Sequence, residues 1–196
     1  MLHFRPFHFI PIILIYLIVM FFVRKKKRQP LMIHLVEFTF FIYVLLLISL
    51  TLLPIPIDKR LIQSMIETKT YAKNLFIPFQ DILRTLPYAP ISVTLKQLLG
   101  NILLFVPFGF YIPIITRYKN FKSVLLYTLA VSLSVEVLQQ IISLLIGVRY
   151  RSFVVDDIML NLIGGIIGYS IIKISWPLIR NLLIDRNNPA YNLWRV

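Results

Sequence analysis

The sequence predicts an all-α, polytopic transmembrane bundle of about five helices, and two observations support this fold class. Of the 196 residues, 58% are hydrophobic and only 15% are charged, with a mean hydropathy of +0.80. A soluble domain of this size carries about 25% charged residues. The chain also contains apolar segments close to the roughly 20 residues that a helix needs to cross a bilayer. They are Phe7–Val23, Leu35–Ile57, Leu98–Tyr118, Ser123–Ile146 and Val155–Ile179.

The charge excess is strongly basic, with 21 Lys and Arg against 8 Asp and Glu. The basic residues lie mainly between the apolar segments, which is typical of orientation signals and of contacts to anionic lipids. Membrane lipids, anionic ones among them, are therefore the expected partners, and no nucleic-acid partner is expected. The chain has no cysteine, which excludes a disulfide framework and a thiol nucleophile.

The basic loops also predict an orientation, because short basic loops stay on the cytoplasmic side. The basic cluster at 24–28 follows the first apolar segment, so we interpret that segment as a retained helix rather than a signal peptide. This predicts an N-terminus outside, the 58–97 segment outside and a C-terminus inside. Arg117, Lys119 and Lys122 would lie inside, and Arg149 and Arg151 outside.

The 58–97 segment is more than a linker. Leu61, Ile62, Met65 and Ile66 recur at helical spacing, which fits either a short helix in the membrane interface or a weakly amphipathic surface loop. The proline-broken stretches 74–79 and 87–90 are too apolar for a free tether, and we expect them to pack against the bundle. Pro54 and Pro56 are expected to end the second helix.

Candidate functional residues are polar side chains at membrane depth, since a charge there is costly and usually functional. Glu136 shares a helical face with Gln139 and Gln140, and Asp157 shares one with Asn161, Gly164 and Gly168. With the predicted orientation, these side chains form a polar pocket open to the outside. Its predicted binding residues are Asn101, Glu136, Gln139, Arg151, Asp156, Asp157 and Asn161.

Each of these residues also has a structural interpretation. Glu136 is alternatively a carboxyl group satisfied by a neighbouring amide, and one of Asp156 and Asp157 is alternatively a helix cap. The glycines at helical spacing predict close helix packing in either case. Arg151 is either an interfacial anchor or the partner of one of the acidic residues.

Four blocks of sequence, in this order, resemble the pattern of VanZ-like membrane proteins. They are NLFIPF at 74–79, NILLFVPFGFYIP at 101–113, EVLQ at 136–139 and RSFVVDDIMLNLIGGIIG at 151–168. The resemblance covers roughly residues 35–180 and implies a four-helix core preceded by an additional helix. We therefore expect an N-terminal helix and basic loop at 1–30, a VanZ-like membrane domain at 31–180 and a cytoplasmic tail at 181–196.

The resemblance also implies a bacterial cytoplasmic-membrane protein connected with low-level resistance to the glycopeptide teicoplanin, without an established reaction. Val154 departs from the pattern, because the family often has an acidic residue there. The family's motif positions correspond in this chain to Asn74, Pro78, Phe79, Asn101, Pro107, Gly109, Glu136, Gln139, Arg151, Asp156, Asp157, Asn161 and Gly164.

Three functions follow as hypotheses. The favoured one is a non-enzymatic protein whose pocket binds an amphiphile, either a lipid head group or a lipid-anchored antibiotic. The second is an enzyme on a lipid-linked envelope substrate, with Glu136 and Asp156 or Asp157 as acid and base or as cation ligands. The third is an ion-coupled transporter with Glu136 as relay. The sequence identifies no catalytic residue or oligomeric state. It predicts no cofactor and no resident metal, and a cation such as Mg²⁺ belongs only to the enzyme alternative. A zinc site is not expected, since the three histidines, His3, His8 and His34, lie elsewhere.

Overall fold

A computed structural model describes residues 9–27, 31–68, 73–116 and 120–183, and within these ranges it forms seven helices and no strand longer than an isolated bridge. The helices are α1 (Ile10–Lys27), α2 (Leu31–Leu52), α3 (Lys59–Glu67), α4 (Gln80–Thr85), α5 (Ile91–Ile115), α6 (Phe121–Ile146) and α7 (Val155–Leu183). The all-α prediction is confirmed.

Within the described residues, four helical stretches are long and apolar enough to cross a membrane. They are His34–Leu52, Ile91–Ile115, Phe121–Ile146 and Val155–Leu178. The described apolar part of α1 is shorter and covers Ile10–Met20. The chain is therefore a multi-pass membrane protein with four long spans and a shorter N-terminal helix.

The helix ends follow local chemistry. α2 ends at Leu52, shortly before Pro54, as the missing proline amide predicts. α5 begins at Ile91 rather than at the predicted Leu98, because Pro90 precedes its first turn and the polar residues up to Gln97 belong to the helix. The Asn120 side chain accepts a hydrogen bond from the Ser123 amide at 2.7 Å and so caps α6.

Other predictions have different outcomes. The amphipathic stretch around Leu61 is a helix, α3, whose Asp58 cap accepts from the amides of Arg60 and Leu61. Arg28, Arg117, Lys119 and the tail from residue 184 lie outside the described residues.

The chain divides into two compact units. The flanking unit contains α1, α2 and the end of α7 from residue 175; within it Tyr16 stacks on Phe41 with ring centroids 4.0 Å apart. The site unit, residues 55–174, contains α3 to α6 and most of α7.

In the site unit, α5 and α7 touch backbone to backbone. A Cβ added to Gly109 would overlap the Gly165 carbonyl, and one added to Gly164 or Gly168 would overlap a carbonyl of α5. Gly164 faces Ile102 and Gly168 faces Val106, so the two helices run parallel. Glycines at such positions allow the close approach predicted from their spacing.

The third helix of this contact is α6, which runs antiparallel to α7. A Cβ on Gly165 would lie 2.6 Å from the Thr128 hydroxyl, and nearer the α7 N-terminus Asn161 donates a hydrogen bond to the Ser132 hydroxyl at 2.8 Å. The start of α5, the end of α6 and the start of α7 therefore lie at one end of the bundle, which we call the polar end.

One predicted helical face is divided between two neighbours. Asn161 was expected on the same face as Asp157 and Gly164, but it contacts α6, whereas those two contact α5. The reason is that Asn161 and Gly165, four residues apart, form the stripe toward α6, and Asp157, Gly164 and Gly168 form the adjoining stripe toward α5.

Candidate polar-end binding site

The 74–79 stretch is hydrogen-bonded to the connection between α6 and α7. The Leu75 amide donates to the Phe153 carbonyl at 2.8 Å, and the Val155 amide donates to the Leu75 carbonyl at 3.1 Å. These bonds form a parallel bridge between Leu75 and Val154, and the Asn74 side chain extends it by accepting from the Phe153 amide at 3.1 Å. The first sequence block therefore packs onto the start of α7, as expected from its apolar character.

Asp156 holds the next part of the same stretch. Its buried carboxylate accepts hydrogen bonds from the backbone amides of Phe79 and Asp81. Phe79 has a φ of 63°, in the left-handed region that few side chains adopt, and this turn leads directly into α4. Asp156 thus accepts hydrogen bonds from amides at the start of α4 and fixes the position of Asp81.

Glu136 is bonded to the same connection from the opposite helix. Its side chain is 3% exposed, and one carboxylate oxygen accepts from the Val154 amide at 3.1 Å. This is the satisfied-carboxyl arrangement that the sequence left open. The Val154 amide thus bonds to Glu136, while its two chain neighbours, Phe153 and Val155, bond to Leu75. The Val154 side chain is buried.

Two further carboxylates are held by amide side chains of α5. The Asn101 side chain donates to Asp157, and the Gln97 side chain donates to Asp81. Gln97 and Asn101 are four residues apart and so share a face of α5. One helix therefore positions an aspartate from α7 and an aspartate from α4.

Between these elements is a cavity of about 240 Å³, the polar-end cavity. Its lining comes from α4, α5, α6, α7 and the connection before α7. The lining residues are Asp81, Gln97, Gln139, Tyr150, Arg151, Ser152, Val154 and Asp157. Seven of these eight residues are polar or charged.

The predicted binding residues occupy three positions relative to this cavity. Gln139, Arg151 and Asp157 line it. Asn101 and Glu136 bond to residues that line it, and Asp156 bonds to the backbone of one that does. Asn161 is bonded to Ser132 in the buried interior, and its amide oxygen has no hydrogen-bond partner among the described residues.

Charge within the cavity is mixed. Arg151 lies within electrostatic range of both Glu136 and Asp157, and Asp81 lies within range of Asp157. Burial raises the pKa of the Tyr150 hydroxyl above its usual 10.0, although the positive charge of Arg151 opposes that shift. The cavity therefore offers carboxylate acceptors, one guanidinium donor and a phenol that is neutral at physiological pH.

Sequence reasoning missed four lining residues, Asp81, Gln97, Tyr150 and Ser152. These four lie outside the apolar segments, where a polar side chain has no energetic cost that singles it out. Arg151 also lies outside them and was predicted only because it closely precedes the acidic pair. One signal was available for Asp81, because it follows the NLFIPF block by two residues.

Two observations bear on other ligands. Among the residues that the structure describes, no group of three or more histidine or carboxylate side chains is arranged to hold a metal ion. A second cavity, of about 220 Å³, is lined by Gln140, Ser143, Leu144, Gly147, Val148 and Arg149 and contains no carboxylate.

The chain matches a protein-family model. No curated protein and no solved structure is similar to this chain. The family model described as VanZ/LLP1 matches residues 40–178, which is more than two thirds of the chain and includes all four sequence blocks and the whole polar-end cavity. The chain therefore belongs to the VanZ/LLP1 family of membrane proteins.

Proposed function

We propose that the polar-end cavity binds the polar head of an amphiphile and that binding changes the susceptibility of the bacterial envelope to teicoplanin-like glycopeptides. The observation that carries this proposal is the polar lining of the cavity, assembled from five separate elements at the end of an apolar bundle. A ligand there can place its head among polar groups while its hydrocarbon tail lies along the lipid-facing helices.

The lining favours a head with several hydrogen-bond donors. Asp81 and Asp157 provide carboxylate acceptors, which suit hydroxyl, amide and ammonium groups of a sugar or peptide. Arg151 adds a fork of donors for one anionic group, such as a phosphate or carboxylate. Lipid head groups and lipid-anchored glycopeptides both combine these features.

The site is also organised before a ligand arrives. The Asn101 and Gln97 side chains already hold the two aspartates, and Glu136 and Asp156 already fix the backbone around them. Less conformational entropy is therefore lost on binding than in a site that must order itself.

A susceptibility experiment tests the proposal with a matched pair of arginines. We expect Asp157→Asn and Arg151→Gln to remove most of the change in glycopeptide susceptibility that the native chain produces in a bacterial host. Arg149→Gln is the control, because Arg149 lines the second cavity and not this one. Each variant is first checked for native expression and for a single peak in size-exclusion chromatography. Native susceptibility in both cavity variants would contradict the proposal.

A binding measurement separates ligand recognition from indirect effects. The purified chain in lipid nanodiscs is titrated with teicoplanin and, separately, with lipids of defined head group. Each weakening of about 1.4 kcal/mol appears as a tenfold higher Kd. We expect the Kd to rise in Asp157→Asn and to stay native in Arg149→Gln.

The same purified variants distinguish the other hypotheses. If the native protein converts a lipid-linked precursor and Asp157→Asn does not, the enzyme hypothesis would replace the binding hypothesis. If the native protein shows proton-gradient-driven flux in liposomes and Glu136→Gln does not, the transporter hypothesis would replace the binding hypothesis.

The proposal places the polar end on the outer face of the cytoplasmic membrane. Because the chain contains no cysteine, Ser152→Cys supplies a unique label at the cavity. We expect a membrane-impermeant maleimide to reach it from outside intact cells. Labelling only after the cytoplasm is opened would reverse the proposed orientation.

A further inference from the structure

Residues 76–88, the exposed apolar segment, lie between the spans but carry side chains typical of a membrane-spanning helix. Phe76 is 64% exposed, Ile77 64%, Phe79 56% and Leu83 67%. Soluble surfaces rarely expose several large apolar side chains together, and such a patch indicates contact with another apolar phase.

Most of the backbone amides of this segment are hydrogen-bonded, as entry into that phase favours, and those of Phe76, Ile77 and Ile82 have no partner among the described residues. A chain in hydrocarbon must satisfy its polar backbone groups internally, because no water is available to do so. The amides of Leu75, Phe79 and Asp81 donate to Phe153 or to Asp156. Further along, the amides of Gln80, Leu83, Leu86, Tyr88 and Ala89 donate to carbonyls within the segment. Pro78, Pro87 and Pro90 have no amide hydrogen to satisfy.

The depth of the segment is set by its partners. Asp156 lies in the first turn of a membrane-spanning helix, and its carboxylate accepts hydrogen bonds from the turn that begins α4. Leu75 is paired with Val154 directly before that helix. The segment is therefore held at the level where α7 enters the membrane.

Its two sides differ in chemistry. Asp81, near its centre, lines the polar-end cavity, whereas Leu83 is among the most exposed apolar side chains of the segment. Arg84, the next residue, is also exposed and gives the short helix α4 a basic side chain beside its exposed apolar one. Long basic side chains of this kind extend to the head-group region from helices lying at the interface.

We infer that the exposed apolar segment is inserted into the bilayer at the polar end of the bundle, where acyl chains cover Phe76, Ile77, Phe79 and Leu83. The segment then separates the cavity from the lipid, with Asp81 facing the cavity. This inference rests on exposure and hydrogen bonding alone, so it stands whether or not the cavity binds the ligand proposed above.

Adjacent single cysteines on α4 test it. Leu83→Cys and Arg84→Cys, in the otherwise cysteine-free chain, are reconstituted into liposomes and treated with a charged, water-soluble maleimide. Because thiols react as thiolates and burial in lipid raises the thiol pKa, we expect labelling of Leu83→Cys to be slower by about tenfold or more than that of Arg84→Cys. Equal labelling of both variants in denaturing detergent confirms that each thiol is intact. Because the two positions are adjacent, they lie on the same side of the membrane, and a difference in labelling rate cannot come from orientation in the liposome.

A second measurement uses the lipid itself. Ile77→Cys and Leu83→Cys, labelled with a fluorophore through a permeant reagent, are exposed to lipids with nitroxide groups on their acyl chains. We expect strong quenching at both positions. We expect weak quenching in Lys73→Cys, because Lys73 is exposed and lies outside the exposed apolar segment. Equal maleimide rates at Leu83 and Arg84, or quenching at Ile77 and Leu83 no stronger than at Lys73, would overturn the inference.

Discussion

The same three helices are held together in two different ways along their length. In the glycine contact, formed by Gly109, Gly164, Gly165 and Gly168, the backbones of α5 and α7 touch and leave no space for a methyl group. At the polar end, by contrast, the same helices line a cavity of about 240 Å³, and hydrogen bonds from backbone amides to buried carboxylates hold the surrounding loops.

The difference separates stability from function. Membrane helices associate through close packing of small residues, because lipid supplies no hydrophobic force between them. The glycine contact therefore provides a rigid base, on which the polar end can keep an open cavity and buried carboxylates.

The largest effect is expected from a side chain inside the glycine contact. Gly109→Val would place its Cβ on the Gly165 carbonyl and force α5 away from α7. We expect a loss of more than about 3 kcal/mol of unfolding free energy, measured by thermal unfolding in detergent. Gly100→Ala on the same helix is the control, since its Cβ meets nothing within 4 Å. A stable Gly109→Val protein would mean that the two backbones are not in contact.

The next effect concerns the loop that Asp156 holds. Asp156→Ala removes a buried acceptor from the amides of Phe79 and Asp81, so we expect a loss of about 2 to 3 kcal/mol. Hydrogen exchange should accelerate at these two amides before it does in α5. Asp58→Ala, which removes an exposed cap with two similar amide contacts, should cost only about 1 kcal/mol. Equal losses in the two variants would show that burial adds nothing to the Asp156 contacts.

A smaller effect is expected from the buried pair below the cavity. Asn161 donates to Ser132 at 2.8 Å. Hydrogen bonds between membrane helices contribute on average about 0.6 kcal/mol, so a double-mutant cycle of Asn161→Ala and Ser132→Ala should give a coupling of this size. Additive losses in the cycle would mean that the contact is not energetically significant.

The smallest effect is a pH dependence. Because burial raises the pKa of Tyr150, its neutral form contributes stability that is complete below pH 10.0 and is lost as the pH rises through the higher folded-state pKa. Tyr150→Phe should therefore weaken the alkaline loss of stability, followed by unfolding at pH values from 9 to 12. Identical alkaline profiles for the two proteins would contradict the raised pKa.

The sequence was sufficient to predict the four long spans and three of the residues that line the cavity, whereas the described apolar part of the predicted first span is shorter. Hydropathy and Pro54 indicated where α2 ends, and the high energetic cost of a charge in lipid singled out Glu136 and Asp157 before any contact was known. These inferences depend on local composition, which a sequence displays directly.

Contacts between distant parts of the chain could not be predicted in the same way. Asp81 reaches the cavity only because Asp156, 75 residues later, binds its amide, and no local pattern encodes that pairing. The different contacts of Asp156 and Asp157 could not be predicted for the same reason. Adjacent identical residues differ in role here because one meets the amides of α4 and the other meets Asn101 of α5.

The Leu75–Val154 bridge has a consequence for biogenesis. Its partners are separated in the chain by α5 and α6, and they must emerge on the same side of the bilayer to pair. Since a ribosome makes the N-terminal part first, residue 75 leaves the translocation machinery well before its partner exists. The lining of the cavity is therefore complete only once α7 begins to insert. A chain truncated after α6 would be a membrane protein with three of its long helices and no site.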